Sequence, residues 1–376
     1  MTAGASAAGE VPDSGVVRVS GERPSTCEEC PAGADLFAPG VCPTGEECLA
    51  AGVRPTGEVR FAVLGDSVSE GVGDPLPGGG WRGWAALLAE GLAARPEGTR
   101  LLNLARSGAR SGDVAGPQLD AALRHRPDLA SVLVGGNDTL RGGFDIRTVA
   151  AELHLVMGTL RAEGTELLTA CLPDPGTVLG LPWPLARPLG RRMSALNDTV
   201  HALSAHHGAH HIHAAEHHWA TMPGALSADR LHPSETGHRL LARDFHALLA
   251  AAGLAQGAAP RPEPDGAPPG KAASMWWMAT QGTRWIADRC TDLLPDLLRL
   301  AATEVRHQRR GSTPVLEEDA RRATVAALAA LKVAPIPVVR QPAGQRVPTG
   351  TKRTGVPGGD WAAAGSEPSG TTPMTG

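Results

Sequence analysis

The sequence predicts an α/β protein in which a parallel, doubly wound five-stranded sheet lies between two layers of helices. Between residues 58 and 253, short apolar runs alternate with longer runs of helical periodicity, as in five successive βα units. Right-handed crossovers between such units produce a three-layer α/β/α sandwich. About 195 residues are an ordinary size for one domain of this class.

Each predicted element has its own signal. The strands are short apolar runs that stop at turn-forming residues, at 59–64, 100–104, 129–134, 166–172 and 210–213. The helices show longer periodic patterns, at 81–94, 118–124, 146–163, 188–207 and 234–252. In the last helix Leu241, Phe245 and Leu248 recur at helical spacing, with Pro233 before the start and Gly253 past the end.

The flanking segments differ from this domain in composition. Residues 1–57 carry cysteines but no sustained period, and they are predicted to be a disordered extension. A Pro/Gly-rich linker is expected over 254–272, a helical extension over 273–332 and a disordered tail over 333–376. Within the helical extension, 285–309 has a broad apolar stripe interrupted by Pro295. Packing on the domain, covering a pocket and lying on a membrane surface are all open, and packing is favoured.

Composition narrows the function. A net charge of −4 over 376 residues argues against a dedicated nucleic-acid binder, which would carry a basic footprint. The first residues lack the basic and apolar regions of a secretory signal, and no run reaches the ~18 apolar residues of a spanning helix. We therefore expect a cytoplasmic protein without stable membrane insertion, and its oligomeric state is left open.

Two residue clusters raise the question of a metal. Four cysteines precede the domain, Cys27, Cys30, Cys42 and Cys48, but the second pair is badly spaced for a zinc ribbon and no core surrounds them. Free thiols in a flexible arm are the simpler interpretation. Histidines are dense over 201–218, yet strand alternation would send neighbours to opposite faces and no carboxylate cluster accompanies them. The sequence therefore predicts no metal and no cofactor.

A set of residues suited to ester hydrolysis occurs at the predicted strand ends. Ser67 follows the first apolar run directly, beside Gly65, and is the candidate nucleophile. His232 is the candidate base and Asp229, three residues earlier, could orient its imidazole. The backbone N–H groups of Ser67 and Gly108 and the side-chain amide of Asn137 could form an oxyanion hole.

These residues stand in four blocks whose order resembles the SGNH (GDSL) hydrolase family. The blocks are Gly65-Asp66-Ser67-Val68-Ser69-Glu70-Gly71, Asn103-Leu104-Ala105-Arg106-Ser107-Gly108-Ala109-Arg110, Gly135-Gly136-Asn137-Asp138 and Asp229-Arg230-Leu231-His232-Pro233. The resemblance covers residues 59–253 and implies a flavodoxin-like fold. It assigns Ser67 as nucleophile, Gly108 and Asn137 to the oxyanion hole, and Asp229 with His232 to the triad.

The expected activity is that of a serine esterase or lipase-like hydrolase acting on small-molecule carboxylic esters through an acyl-enzyme. An acyltransferase or carbohydrate deacetylase using the same residues is the related alternative, and a non-catalytic binding module is the alternative from another class. Trp81 and Trp84 follow the nucleophile loop and could line a substrate pocket, although packing of the helix face against the sheet is favoured.

Overall fold

Five short apolar segments pair side by side in one all-parallel sheet. The computed structural model of the chain describes residues 58–215, 222, 224–265 and 283–336, with backbone only for 283–292. All of these residues lie in one compact unit, 52–376. The strands are β1 Val59–Gly65, β2 Thr99–Asn103, β3 Leu129–Leu133, β4 Glu166–Ala170 and β5 His210–Ile212. The predicted five-stranded parallel sheet is confirmed, and its order is β2-β1-β3-β4-β5.

Helices connect the strands and continue beyond them. They are α1 Ser67–Glu70, α2 Gly83–Leu92, α3 Ser111–Asp113, α4 Leu119–His125, α5 Gly136–Leu140, α6 Ile146–Ala162, α7 Pro175–Val178, α8 Trp183–His206, α9 Glu235–Ala251, α10 Thr283–Arg309 and α11 Thr313–Ala330. A 3₁₀ turn spans Pro96–Gly98 and a π turn Val114–Gln118. Helix α8 begins at Trp183 rather than at 188, because Pro184 occupies the first turn and Pro188 is accommodated inside the helix.

Alternation along the strands divides the core into two layers. Phe61 and Val63 of β1 face one side, where α2 and α9 cover the sheet. Ala62 and Leu64 face the other side, which α4, α6 and α8 cover. Helices thus lie on both faces of the sheet, and the predicted α/β/α sandwich is confirmed.

The helix pair α2 and α9 is joined by aromatic and ionic contacts. Trp84 of α2 is fully buried, with its ring centroid 4.9 Å from that of Phe245 in α9. Arg82, just before α2, forms ion pairs with Asp74 at 2.9 Å and with Glu235 of α9 at 2.8 Å. The Trp84 ring also lies 6.4 Å from that of Phe61 in β1, so this residue packs against the sheet, as favoured from the sequence.

The chain beyond α9 stays in contact with the domain. Gln256 and Gly257, within the segment predicted as a linker, donate backbone hydrogen bonds to Leu92 and Gly91 at 2.9 and 3.0 Å. Helices α10 and α11 lie along α8, whose Arg191 bonds to Glu304 at 2.5 Å and Glu317 at 2.7 Å. Among the described residues, no helix is both long and apolar enough to cross a membrane.

Candidate active site

The strand order creates a crevice at the carboxyl ends of β1 and β3. The chain leaves β1 toward β2 on one side and returns as β3 on the other, so the connections diverge at this point. Such switch points are where ligands bind in open α/β sheets. Ser67 follows β1 by two residues and Asn137 follows β3 by four, which brings both to this crevice.

The turn that ends β1 is held by close packing and by a buried amide. A Cβ at Gly65 would lie 2.4 Å from the carbonyl oxygen of Leu133, so only glycine fits against β3. The backbone N–H of Gly65 donates to Oε1 of Gln118 at 2.8 Å, and Nε2 of Gln118 donates to the Gly65 carbonyl at 3.0 Å. Gly65, two residues before Ser67, therefore has a fixed position.

Ser67 is the first residue of the short helix α1. Asp66 caps this helix, because its Oδ1 accepts a hydrogen bond from the N–H of Val68 at 3.2 Å. The backbone N–H of Ser67 makes no hydrogen bond to any residue that the structure describes. The serine thus presents both its hydroxyl and an available backbone donor.

The structure brings Ser67, His232 and Asp229 together. Nε2 of His232 lies 2.8 Å from Oγ of Ser67, and Nδ1 of His232 lies 2.6 Å from Oδ2 of Asp229. A carboxylate only accepts hydrogen bonds, so Nδ1 carries the proton and Nε2 is left to accept from the Ser67 hydroxyl. The hydroxyl, the imidazole and the carboxylate thus form one hydrogen-bonded chain, the arrangement of a Ser-His-Asp triad.

The carboxylate of Asp229 is itself held in place. Its second oxygen, Oδ1, accepts hydrogen bonds from Oγ of Ser227 at 2.6 Å and from the N–H groups of Leu231 and His232 at 2.9 and 3.0 Å. Burial alone would raise the pKa of Asp229. The charge of His232 and the hydrogen bonds that His232 and Ser227 donate to the carboxylate hold this pKa well below its usual range. Asp229 therefore remains ionised next to the imidazole.

Of the two remaining predicted site residues, Asn137 lines the pocket beside Ser67. Gly108 lies between Ser107, which bonds to Glu70, and Ala109, which bonds to Asn137. Gly108 lies in a turn with φ of +83°, and its N–H bonds to no residue in the described part of the chain. Asn137, in α5, donates from Nδ2 to the Ala109 carbonyl at 3.1 Å and more weakly to Oδ2 of Asp66 at 3.4 Å. One amide hydrogen of Asn137 thus anchors the second block, and the other makes only a long contact.

Asp66 is a buried carboxyl next to these groups. It is 5% exposed, and burial raises its pKa to about 6. Because the folded pKa exceeds the unfolded value, folding takes up a proton between about pH 4 and pH 6. Ionised Asp66 therefore lowers stability as pH rises through this window, by about 3 kcal/mol once the window is passed.

This penalty predicts a pH-dependent effect of Asp66→Asn. Between pH 4 and pH 7 the unfolding free energy of the variant should improve relative to wild type by about 2–3 kcal/mol, because Asn does not ionise. Urea denaturation at both pH values measures the change. Asp120→Asn, at an exposed position of α4, is the control, and its unfolding free energy should change between the two pH values by the same amount as that of wild type. The prediction would be contradicted if the unfolding free energies of Asp66→Asn and wild type changed equally between pH 4 and pH 7.

A small apolar pocket opens beside Ser67 and His232. Its volume is ≈ 100 Å³. Besides the site residues, the apolar part of its wall consists of Val68, Leu140, Leu172, Pro173, Pro175, Val178, Met193 and Leu231. Neither Trp81 nor Trp84 is among the lining residues.

The positioning roles of two residues, Gln118 and Glu70, were not identified from the sequence. Gln118 holds Gly65, and Oε2 of Glu70 accepts hydrogen bonds from the N–H and Oγ of Ser107 at 2.7 and 2.5 Å, joining the first block to the second. Glu70 stands inside the first block, so its acidic side chain was a readable signal. Gln118 is a polar residue at the start of an apolar helix, and this position alone does not indicate a function.

Two sequence comparisons show which known proteins this chain is similar to. Residues 63–240 match the model of the GDSL-like lipase/acylhydrolase family. An arylesterase from Vibrio mimicus is 26% identical over 181 residues, which cover 46% of this chain and 80% of the relative.

Two solved structures are also similar to this chain. An acetylxylan esterase from Geobacillus stearothermophilus is 22% identical, with a TM-score of 0.41, over 51% of this chain and 94% of that one. A putative lipolytic protein of the G-D-S-L family from Desulfitobacterium hafniense is 15% identical, with a TM-score of 0.41, over 51% and 100% of the two chains.

Proposed function

We propose that this chain is a GDSL-like lipase/acylhydrolase that cleaves short-chain carboxylic esters through an acyl-enzyme on Ser67, in keeping with the match of residues 63–240 to that family. One observation carries the proposal. The Oγ of Ser67 lies 2.8 Å from Nε2 of His232, whose opposite ring nitrogen is bonded to Asp229. An imidazole in this tautomer can take the serine proton.

In the first half-reaction, Oγ of Ser67 attacks the ester carbonyl carbon while Nε2 of His232 takes the hydroxyl proton. Asp229 stabilises the imidazolium that forms. The tetrahedral intermediate then collapses, its C–O bond to the alcohol breaks, and His232 returns the proton to the leaving alkoxide. The products are a free alcohol and an ester of Ser67.

Three donors are available for the negative oxygen of that intermediate. The N–H groups of Ser67 and Gly108 bond to no residue in the described ranges, and one hydrogen of Asn137 makes only the 3.4 Å contact to Asp66. A developing oxyanion would attract this hydrogen more strongly than the long contact does. Each such donor is typically worth about 3 kcal/mol of barrier.

In the second half-reaction, His232 removes a proton from water, and the resulting hydroxide attacks the acyl carbonyl. The bond to Oγ of Ser67 breaks, and the imidazolium returns the proton to the serine. The carboxylic acid leaves, and the enzyme is restored.

The size of the pocket supports a short acyl group. Its volume of ≈ 100 Å³ is well below the roughly 300 Å³ of the smallest typical pockets for drug-sized ligands. Leu140, Leu172 and Met193 give it an apolar wall suited to a few methylene groups.

Covalent trapping tests the proposed nucleophile. Oγ of Ser67 should attack the phosphorus of a fluorophosphonate probe and release fluoride to solvent, leaving one phosphonyl group that peptide mass spectrometry assigns to that residue. Activity on p-nitrophenyl acetate should disappear with the same stoichiometry. Full inactivation with the adduct on another residue would refute the assignment.

Acyl length should determine the rate. We expect kcat/KM for p-nitrophenyl esters to fall by about tenfold or more from butyrate to octanoate, because the added methylenes exceed the pocket. Leu140→Ala enlarges the pocket and should reduce the ratio of kcat/KM for butyrate to kcat/KM for octanoate by several-fold. Leu155→Ala, at an exposed position of α6, is the matched control and should leave it unchanged. A wild-type enzyme that prefers octanoate would rule out the short acyl site.

A further inference from the structure

Four metal-binding side chains meet at the β5 edge of the sheet, outside the candidate active site. Cys171 follows β4, His211 lies in β5, His213 follows β5, and His201 lies in α8. One ligand atom from each lies within 4.8 Å of every other. The alternation of β5 puts His211 and His213 on one face of the strand, toward His201.

A chain of hydrogen bonds determines the tautomer of His211. Oγ of Ser204 donates its only hydrogen to the Val200 carbonyl at 2.6 Å, so the 2.8 Å contact between Ser204 and Thr169 uses the hydrogen of Thr169. Oγ1 of Thr169 is then the acceptor in its 2.9 Å bond with Nδ1 of His211. The proton of a neutral His211 is therefore on Nδ1, and Nε2 carries a lone pair.

This lone pair is buried without a donor. Nε2 of His211 has no hydrogen-bond partner among the residues that the structure describes. A buried acceptor left unsatisfied lowers the stability of the fold, and a bound cation would remove this penalty. Metal-binding histidines commonly have this arrangement, with one ring nitrogen bonded to a protein group and the other on the metal.

The neighbouring groups are also suited to a cation. Sγ of Cys171, in a side chain only 1% exposed, accepts a hydrogen bond from the N–H of Ala215 at 3.2 Å and donates its own proton to the Ile212 carbonyl at 3.8 Å. A bound cation would displace this proton, because a metal ion lowers the pKa of a coordinating thiol. The ring centroids of His201 and His211 are 4.7 Å apart, and those of His201 and His213 are 4.9 Å apart. His213 is exposed, which gives an ion a route from solvent.

We propose that Cys171, His201, His211 and His213 bind one divalent transition-metal ion of the zinc type. A thiolate with three imidazoles matches the preference of Zn²⁺ and disfavours Mg²⁺ and Ca²⁺, which take oxygen ligands. Donors around one tetrahedral Zn²⁺ lie about 3.3–3.8 Å apart, so binding would bring the widest pair together by about 1 Å.

Four protein ligands leave no open position, so the site is structural rather than catalytic. The ion would join β4, β5 and α8. Strand β5 has only three residues and lies at the edge of the sheet. A metal cross-link would stabilise the pairing of this edge strand.

Cobalt(II) spectroscopy tests the site in the full-length chain. The other cysteines, Cys27, Cys30, Cys42, Cys48 and Cys290, are replaced by serine so that Cys171 is the one remaining thiol. We expect one equivalent of Co²⁺ to produce a thiolate-to-cobalt charge-transfer band with tetrahedral d–d bands, and Zn²⁺ to displace it. Zn²⁺ should also raise the Tm of the EDTA-treated protein.

Variants assign the ligands. Losing an outer-shell partner commonly costs 10- to 100-fold in metal affinity, so His211→Ala and His213→Ala should each cost on the order of 100-fold or more. His213 is exposed, so its variant should keep the fold. His154→Ala is the control, because it alters a second cluster, formed by His154, His206 and His207, that has no thiol. The control should keep the band.

Two results would overturn the proposal. One is the absence of a charge-transfer band when stoichiometric Co²⁺ is added to single-thiol protein that still hydrolyses esters. The other is a band of undiminished affinity in both His211→Ala and His213→Ala.

Discussion

Ser67→Ala should lower kcat for p-nitrophenyl acetate by on the order of a thousandfold or more while the protein stays folded. The substitution removes the oxygen that lies 2.8 Å from Nε2 of His232, and no acyl-enzyme can then form at this position. Alanine is well tolerated in a helix, and Ser67 begins α1, so the loss should not reflect unfolding. Steady-state rates together with circular dichroism measure the two effects separately.

A neighbouring serine provides the control. Ser107 is exposed, and Ser107→Ala keeps the backbone N–H bond to Glu70 at 2.7 Å that joins the two blocks, so the variant should retain kcat within about threefold. Comparable activity in the two variants would mean that Ser67 is not the nucleophile. A wild-type protein without serine-dependent turnover would favour a binding module instead.

Asp229→Asn should reduce kcat by about 10³- to 10⁴-fold, as the corresponding change does in serine proteases. An amide can present its NH₂ group to Nδ1 of His232, which favours the tautomer with the proton on Nε2. That proton then faces Ser67, and the imidazole no longer accepts from the hydroxyl. Stopped assays over long incubation times measure the residual rate.

Asp229→Asn should also change how the free energy of unfolding depends on pH. Because the folded pKa of Asp229 lies below its unfolded value, the carboxylate adds stability above about pH 4, and this contribution is lost as pH falls. Wild type should therefore exceed Asp229→Asn in unfolding free energy at pH 7, with a smaller difference at pH 3. Asp145→Asn, at the cap of α6 where Asn also caps well, should preserve kcat. A fully active Asp229→Asn enzyme would remove the carboxylate from the mechanism.

The fold was largely predictable because its signals are local. Apolar runs ending at turn formers located all five strands to within two residues of their observed ends. Helix α9 was equally clear, since Pro233 and Gly253 flank a periodic segment. The start of α8 was not, because Pro188 has the same local signature as a helix start although it lies inside the helix.

The predicted site residues could be listed from the sequence, but their contacts could not. Ser67 and His232 are 165 positions apart, and only the sheet order brings their loops to one crevice. Gln118 was missed for a different reason. A side chain that binds backbone groups far away in sequence has no periodicity and no motif, so nothing local marks its role.

Strand alternation in the histidine-rich segment bears on a metal site in two ways. Strand alternation separates His210 from His211, and this argued against a metal. The same alternation places His211 and His213 together, 5.0 Å apart between ring centroids. Cys171 lies at the end of another strand, and no spacing rule connects it to them. The set became recognisable only when β4 and β5 were seen to be neighbours.

The pairing of α2 with α9 has a consequence for how the enzyme would lose activity. Helix α2 follows the serine loop and α9 follows the histidine loop, and contacts such as Trp84 with Phe245 and Arg82 with Glu235 join them. Loss of these contacts between α2 and α9 would move His232 away from Ser67 while the sheet remained intact. Catalytic inactivation would then precede any spectroscopic sign of melting, which makes turnover an early gauge of thermal or chemical damage.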